Sequence, residues 1–268
     1  MILILFLIFI IIVLIKKIID VLRFCTIEKF DKKDIVKYDI SKLDYDTFQM
    51  LINGKNPIIF THFISKDDLE KITFSNFCKN LPDKNIIVRY GDYGSTNGRK
   101  ERKYRNDNLH NFCNNIDNSS DYGGNNRISA DEFTLLGIKP NCTFLEKFPG
   151  ASLWIGPKDS RTPLHKDGPK NLALQLYGDK KWIIYNSNDV PKLCYPYNNN
   201  GLEWSQYNVN DLTTCNEAKN TEPYNIIMNP GELLYLPSQW SHDVTNLTKS
   251  IMVNFWFHDF KVFLQDNL

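Results

Sequence analysis

The second half of the chain alternates between apolar and polar positions. From about residue 142, short runs with period two are separated by Gly, Pro, Asn and Asp: "ASLWIG" (151–156), "TPLHKD" (162–167), "NLALQLYG" (171–178), "KKWIIYN" (180–186), "YNIIMN" (224–229), "ELLYLP" (232–237), "HDVTNL" (242–247) and "SIMVNFWF" (250–257). Alternation puts successive side chains on opposite faces of a strand. That many short strands at this spacing predicts a sandwich or small barrel of antiparallel strands, with core strands at about 142–260. Upstream, "NPIIFTHF" (56–63) and "NIIVRYGDY" (85–93) predict two strands, the second ending at Gly91. "SKDDLEKITFSNFCKNL" (65–81) predicts one helix, because Ser65 precedes acidic residues and then apolar ones at helical spacing. Shorter helices are predicted around residues 108–116 and in "SADEFTLLGI" (129–138). The rest of residues 91–126 is polar and Asn-rich. "NNNGLEWSQYNVNDLTTCNEAKNTEPYN" (198–225) is a long polar insertion between strands, of a length that is usually functional or disordered.

The N-terminus has no alternation. "MILILFLIFIIIVLI" (1–15) is apolar throughout and is followed by "KKIIDVLRF". Residues 1–24 reach the length of a membrane span, about 20 residues, if Lys16 and Lys17 snorkel to the interface. No basic leading region or small-residue cleavage site is visible, which favours an uncleaved anchor over a signal peptide. Lys16, Lys17, Arg23, Lys29, Lys32 and Lys33 follow the span and favour a cytosolic body. The expected organisation is a transmembrane anchor at 1–24, a connector at 25–45 and one domain at 46–268.

Composition narrows the function classes. Lys plus Arg number 32 and Asp plus Glu 31, so the net charge of +1 gives no overall footprint for nucleic acid. One basic run, "GRKERKYR" (98–105), reads as a solvated face. The six cysteines form no CxxC pair, which leaves a zinc ribbon or thioredoxin motif unsupported and disulfides undemonstrated. Three sequons, at Asn118, Asn141 and Asn246, matter only in a lumenal setting, and an Asn-rich chain acquires them by chance.

The candidate chemistry lies in the strands. His165 and Asp167 stand at i and i+2, and on a strand both project from one face. His242, after a Pro-containing turn, is the candidate third ligand. Two histidines and one carboxylate on one face of a metal leave open positions, as in non-haem Fe(II) oxygenases. The dipeptide spacing alone is weak, since a chain with this much Asp contains it by chance. Lys180 follows a Gly178–Asp179 turn, and its neighbour Lys181 points to the opposite face of the same strand. His62, His110 and His258 lack a partner at ligand spacing. Trp154, Trp182, Trp240 and Trp256 read as core or barrel-mouth packing.

Four motifs in order carry a resemblance: "LWIGPKDSRTPLHKDGPKNLALQLYGDKKWIIY" (153–185), "LCYP" with "SQYNVND" (193–196 and 205–211), "NPGELLYLPSQWSH" (229–242) and "SIMVNFWF". Together they resemble the cupin-like JmjC hydroxylases, relatives of the hypoxia-inducible-factor asparaginyl hydroxylase. The likeness spans about residues 152–257. It implies a mainly β fold, a double-stranded β-helix (jelly-roll) core with flanking N-terminal helices. It implies that His165, Asp167 and His242 bind Fe(II), and that Lys180 and Thr162 hold the distal carboxylate of 2-oxoglutarate. Asn171, Asn254 and, in a looser alignment, Tyr122 match further pocket positions. The implied reaction uses O2, converts 2-oxoglutarate to succinate and hydroxylates an unactivated C–H bond, most naturally on a protein side chain. Demethylation of N-methyl-lysine, hydroxylation of an RNA base and ligand binding without turnover by a membrane-tethered cupin are the alternatives. The chain ends soon after "FWFHDF", where the relative carries dimerisation helices, so a monomeric body is expected.

Overall fold

The computed structural model describes residues 10–12, 15, 34–81, 83–90, 103–196 and 203–268. The chain divides into two units, residues 1–34 and 35–268. In the first, Ile10, Ile11, Ile12 and Ile15 are helical and exposed, and the rest of the stretch read as an anchor lies outside the described residues. Among the described residues no helix is long and apolar enough to cross a membrane.

The second unit is built on two sheets. Its strands are β1 (Val36–Asp39), β2 (Ile58–Thr61), β3 (Asn85–Tyr90), β4 (Lys103–Asn108), β5 (Tyr122–Ile128), β6 (Ala151–Gly156), β7 (Arg161–Lys166), β8 (Lys170–Tyr177), β9 (Lys180–Tyr185), β10 (Glu203–Trp204), β11 (Tyr224–Met228), β12 (Leu233–Leu236), β13 (Ser241–Asn246) and β14 (Ser250–Phe257). One sheet has nine strands in the order β1-β2-β12-β8-β14-β6-β5-β3-β4, and the other has five in the order β10-β7-β13-β9-β11. Strands β6, β8, β12 and β14 belong to the first and β7, β9, β11 and β13 to the second. This interleaving along the chain is the mainly β, jelly-roll core expected from the sequence.

The period-two pattern explains what each face buries. Trp182 and Ile184 of β9 point between the sheets, with Trp154, Ala173, Leu234 and Met252 from the nine-stranded sheet. Ile183 and Tyr185, one residue out of phase, pack on the other side of β9 with Leu164 and with Leu193, Tyr207, Cys215 and Ala218 of the insertion. The other face of the nine-stranded sheet is covered by helices: α1 (Tyr45–Ile52), α2 (Lys66–Lys71), α3 (Phe74–Asn80), α4 (Leu109–Asn115), α5 (Ala130–Leu135) and α6 (Phe260–Asn267). Phe48, Phe77, Phe112, Phe133 and Phe260 from these helices pack on Leu153, Leu172, Leu174 and Val253 of the sheet. Each such side chain, fully buried, contributes about 1.5–3 kcal/mol.

Several expectations are corrected here. Residues 65–81 are two helices, not one: Thr73 is extended (φ −91°, ψ 155°), and its hydroxyl accepts from Asn76 N, so it caps α3. Ser65 does cap α2, accepting from Asp68 N. The polar stretch 91–126 supplies β4 and the start of β5, which the pattern did not announce. β4 is the outer strand of its sheet and exposes Lys103, Tyr104, Arg105 and Asn106, so it shows no alternation. In β5 the side-chain amide of Asn126 replaces ladder bonds, accepting from Ile87 N at 2.6 Å and donating to Ile87 O at 3.0 Å. The stretch read as connector contains β1, which runs parallel to β2.

Cys78 and Cys113 form a disulfide between α3 and α4, and Cys194 and Cys215 form another in the segment between β9 and β11. Cys142 is a free thiol, and burial pushes it up to about 11. Of the sequons, Asn118 is exposed, whereas Asn246 is 1% exposed and donates to Gly156 O and Pro157 O.

Candidate metal centre

His165 and His242 face each other across the β7–β13 ladder as a direct register pair, their ring centroids 4.1 Å apart. Both are buried, at 8% and 3% exposure. The Nδ1 of His165 lies 2.9 Å from the carbonyl of Pro163, and the Nδ1 of His242 lies 3.0 Å from the carbonyl of Trp240. A carbonyl can only accept, so each bond puts the ring proton on Nδ1 and leaves Nε2 as the lone-pair nitrogen. Both Nε2 atoms turn toward Asp167, at 4.0 Å from Oδ1 for His165 and 3.8 Å from Oδ2 for His242. One ligand atom from each of the three residues lies within 4.8 Å of the others. The outer hydrogen bond to each imidazole is the feature that fixes tautomer and ring direction in metal-binding histidines.

Asp167 sits just past the end of β7 rather than within it. Its place is fixed by contact between two turns: Gln239 N donates to Asp167 O at 3.0 Å, and the Ser238 hydroxyl donates to Gly168 O. Trp256 Nε1 donates to Asp167 Oδ2 at 3.1 Å. His165, Asp167 and His242 line a cavity between the two sheets, and Thr162 lines it too, although it is three residues from His165 and strict alternation would put the two on opposite faces. A register irregularity opposite Asp243 resolves this: His242 pairs with His165 but Val244 pairs with Thr162, so two residues of β7 oppose one of β13.

Lys180 has no exposed surface. It lies on the same face of β9 as Trp182, which lines the cavity, and Lys181 is partly exposed on the other. The Lys180 Nζ donates to Tyr122 OH at 3.0 Å and lies 5.4 Å from the Tyr122 ring centroid. No carboxylate pairs with it among the described residues. Tyr122 reaches this place because Gly156 has no side chain; a Cβ there would stand 2.4 Å from the tyrosine ring. Asn254 Nδ2 donates to Asn171 Oδ1 at 2.7 Å, joining β14 to β8 in the cavity wall. Asn254 Oδ1, Trp154 Nε1 and Trp182 Nε1 are buried with no hydrogen-bond partner. The two orphaned indole N–H donors and an uncompensated ammonium around one cavity fit an anionic, hydrogen-bonding guest, whereas the amide oxygen of Asn254 can only accept.

Every site residue named from the sequence therefore borders this cavity or, for Lys180, bonds a residue that does. His62, His110 and His258 are exposed and stand apart from the cluster. A second grouping, Cys194, Cys215 and Glu217, has both sulfurs committed to a disulfide and offers no thiolate. Three tryptophans do more than the sequence reading gave them. Trp256 holds Asp167, Trp182 stacks on His242 (5.5 Å, 24°), and Trp204 stacks on His165 (4.7 Å, 20°). Beside the site, Arg161 and Asp243 form a buried pair, with Nη2 to Oδ2 at 2.7 Å and Nε 3.0 Å from each oxygen. Burial pushes the Asp243 carboxyl up, and the Arg161 guanidinium opposes that.

Residues 45–262 match the family profile described as "Cupin-like domain". Among known proteins, the chain is similar to "Lysine-specific demethylase JMJ30" of Arabidopsis thaliana, 36% identical over 107 residues that make up 39% of this chain and 25% of that protein. It is similar to "JmjC domain-containing protein C" of Dictyostelium discoideum, 33% identical over 125 residues, 42% of this chain and 29% of that one. "tRNA wybutosine-synthesizing protein 4" of Gibberella zeae is 29% identical over 97 residues, 36% of this chain and 9% of that one. The matches span less than a third of each relative's length. JmjC family members use Fe(II) and 2-oxoglutarate, and the donor set described above suits that metal. The chain belongs to the cupin-like family, among its JmjC Fe(II)- and 2-oxoglutarate-dependent oxygenases.

Proposed function

We propose that this domain hydroxylates an unactivated C–H bond on a protein side chain, with Fe(II) held by His165, Asp167 and His242 and 2-oxoglutarate as cosubstrate. The observation that carries the reading is Lys180, a fully buried ammonium that donates to the hydroxyl of Tyr122 and meets no carboxylate among the described residues. A buried charge without a counter-charge is costly, and one end of a dicarboxylate supplies what is missing. In this reading Lys180 and Thr162 receive the distal carboxylate, and Tyr122 keeps the ammonium aimed. Asn171 and Asn254 offer amides at the metal end. The two imidazoles bind through Nε2 because their Nδ1 protons are held by backbone carbonyls. Trp154, Trp182 and Met252 line the cavity and exclude water. When bound, Fe(II) and 2-oxoglutarate would let O2 act as the oxidant, one oxygen atom going to the substrate C–H bond and the other to succinate as CO2 leaves.

A protein substrate is favoured by the names of two relatives, the Arabidopsis one and "Lysine-specific demethylase 8" of Xenopus tropicalis. Those names also make N-methyl-lysine demethylation the second reading, since the same metal site serves both outcomes. The apolar run at residues 1–15 supports a membrane-tethered setting. The test is succinate release by the full chain supplied with Fe(II), 2-oxoglutarate and O2, against His165→Ala and Lys180→Ala. Wild type is expected to release succinate and both variants to lose it. Candidate peptides and RNA are then weighed for one added oxygen or a lost methyl group. A wild-type protein that releases no succinate, and develops no visible charge-transfer absorption with Fe(II) and 2-oxoglutarate without O2, overturns the reading.

A further inference from the structure

Among the described residues the two histidines differ in what surrounds them. His242 lies on β13, in the middle of the five-stranded sheet, and Trp182 of the neighbouring β9 covers its ring. His165 lies on β7, which would be the edge of that sheet without β10. The insertion between β9 and β11 supplies the cover instead. β10 pairs with β7 so that Trp204 is in register with His165, and the indole stacks on the imidazole. The insertion is fastened just after Trp204. Ser205 N donates to Leu164 O at 3.0 Å, and Gln206 N donates to Cys194 O at 3.0 Å. Cys194 is disulfide-bonded to Cys215, and Tyr207 and Cys215 are buried against Leu164 and Tyr185.

We propose that Trp204 is a positioning residue for His165, and that the Cys194–Cys215 disulfide holds it there. The proposal rests on the reading of His165, Asp167 and His242 as a metal centre. The hydrogen bond from Nδ1 to Pro163 O fixes a direction in the ring but does not by itself set the tilt about that direction. A stacked plane on the ring face removes the tilt. The two restraints together aim Nε2 at the point it shares with His242 and Asp167, and the second of them comes from outside the jelly roll.

The test is Mn(II) titration of the full chain by calorimetry, with the visible absorption of bound Co(II) as a report on ligand geometry. Trp204→Ala is expected to weaken Mn(II) binding about tenfold, the low end of what loss of a ligand-orienting partner costs. Its Co(II) bands should shift as well. Trp204→Phe, which keeps a stacking face, is expected to restore both. The double variant Cys194→Ser, Cys215→Ser should weaken Mn(II) binding in the same direction, and it stands in if Trp204→Ala does not fold. The proposal is overturned if Trp204→Ala and the double serine variant bind Mn(II) like wild type, or if Trp204→Phe is as weak as Trp204→Ala. Wild type that binds no Mn(II) sinks this proposal and the metal centre together. Wild type that binds Mn(II), with the Trp204 dependence but without succinate release, leaves this proposal standing and removes the oxygenase reading alone.

Discussion

The nine-stranded and five-stranded sheets close one barrel and are covered on their outer faces by different means. The first carries six helices and the larger apolar cluster, with its disulfide between two of those helices. The second carries an insertion with little regular structure, fastened by a disulfide, a short added strand and the Asn208 side chain, which accepts from Arg161. The candidate ligands follow the same division. His165, His242 and Lys180 come from the five-stranded sheet, and Asn171 and Asn254 from the nine-stranded one. The comparison teaches that the helical side rests on the larger apolar cluster, whereas the side that would handle the metal has a small one and adds a short strand and polar contacts to it.

The sharpest way to break the comparison is at the ligands. His165→Ala should abolish succinate release, and it should also abolish the stabilisation given by Mn(II). At about 100 times its Kd a metal adds about 2.7 kcal/mol. In a domain of this size that is about 5–11 °C in Tm. Scanning calorimetry of wild type and variant with and without Mn(II) reads both effects. Next in size is Arg161→Met, which strands the buried Asp243 carboxylate and is expected to cost about 3–5 kcal/mol by urea denaturation.

The disulfides separate the two sheets most directly. Replacing Cys78 and Cys113 by serine should cost about 2–4 kcal/mol. Mn(II) affinity should stay at the wild-type value, because that disulfide lies on the helical side. A matching loss of metal affinity would erase the distinction drawn between the walls. The smallest effect has the opposite sign. Lys180→Met removes an uncompensated buried charge and should raise stability without ligands by about 1–3 kcal/mol. The same variant should lose the further rise in Tm that 2-oxoglutarate gives the Mn(II)-loaded protein.

Much of this was legible in the sequence, for physical reasons that differ by residue. Strands β7, β8, β12, β13 and β14 announce themselves as short runs buried on both faces and bounded by turn residues, and β11 by its alternation. β4 and β5 do not, since β4 exposes its side chains and Asn126 takes over pairing that a backbone would ordinarily make. The candidate ligands were readable because His165 and Asp167 keep a strand spacing and His242 follows a turn. Thr162 was placed by resemblance alone, because the bulge that turns it inward leaves no mark on the pattern. Trp204 sits in a polar run with no periodicity, and its proposed role depends on His165, a pairing partner far outside any local window of about 11–18 residues. The disulfides were equally hidden, since six cysteines allow 15 complete pairings and only spatial proximity chooses among them.

The carbonyls of Pro163 and Trp240 each belong to the residue two before the histidine they hold. The device that selects the protonation form of each ring is thus main chain, carried on the same short segment as the ring itself. Side-chain substitution at 163 or 240 leaves the acceptor in place, so the chemical identity of the two nitrogens is insulated from mutational drift around them. What drift can still reach is aim, and that is where the neighbouring indoles would register each change.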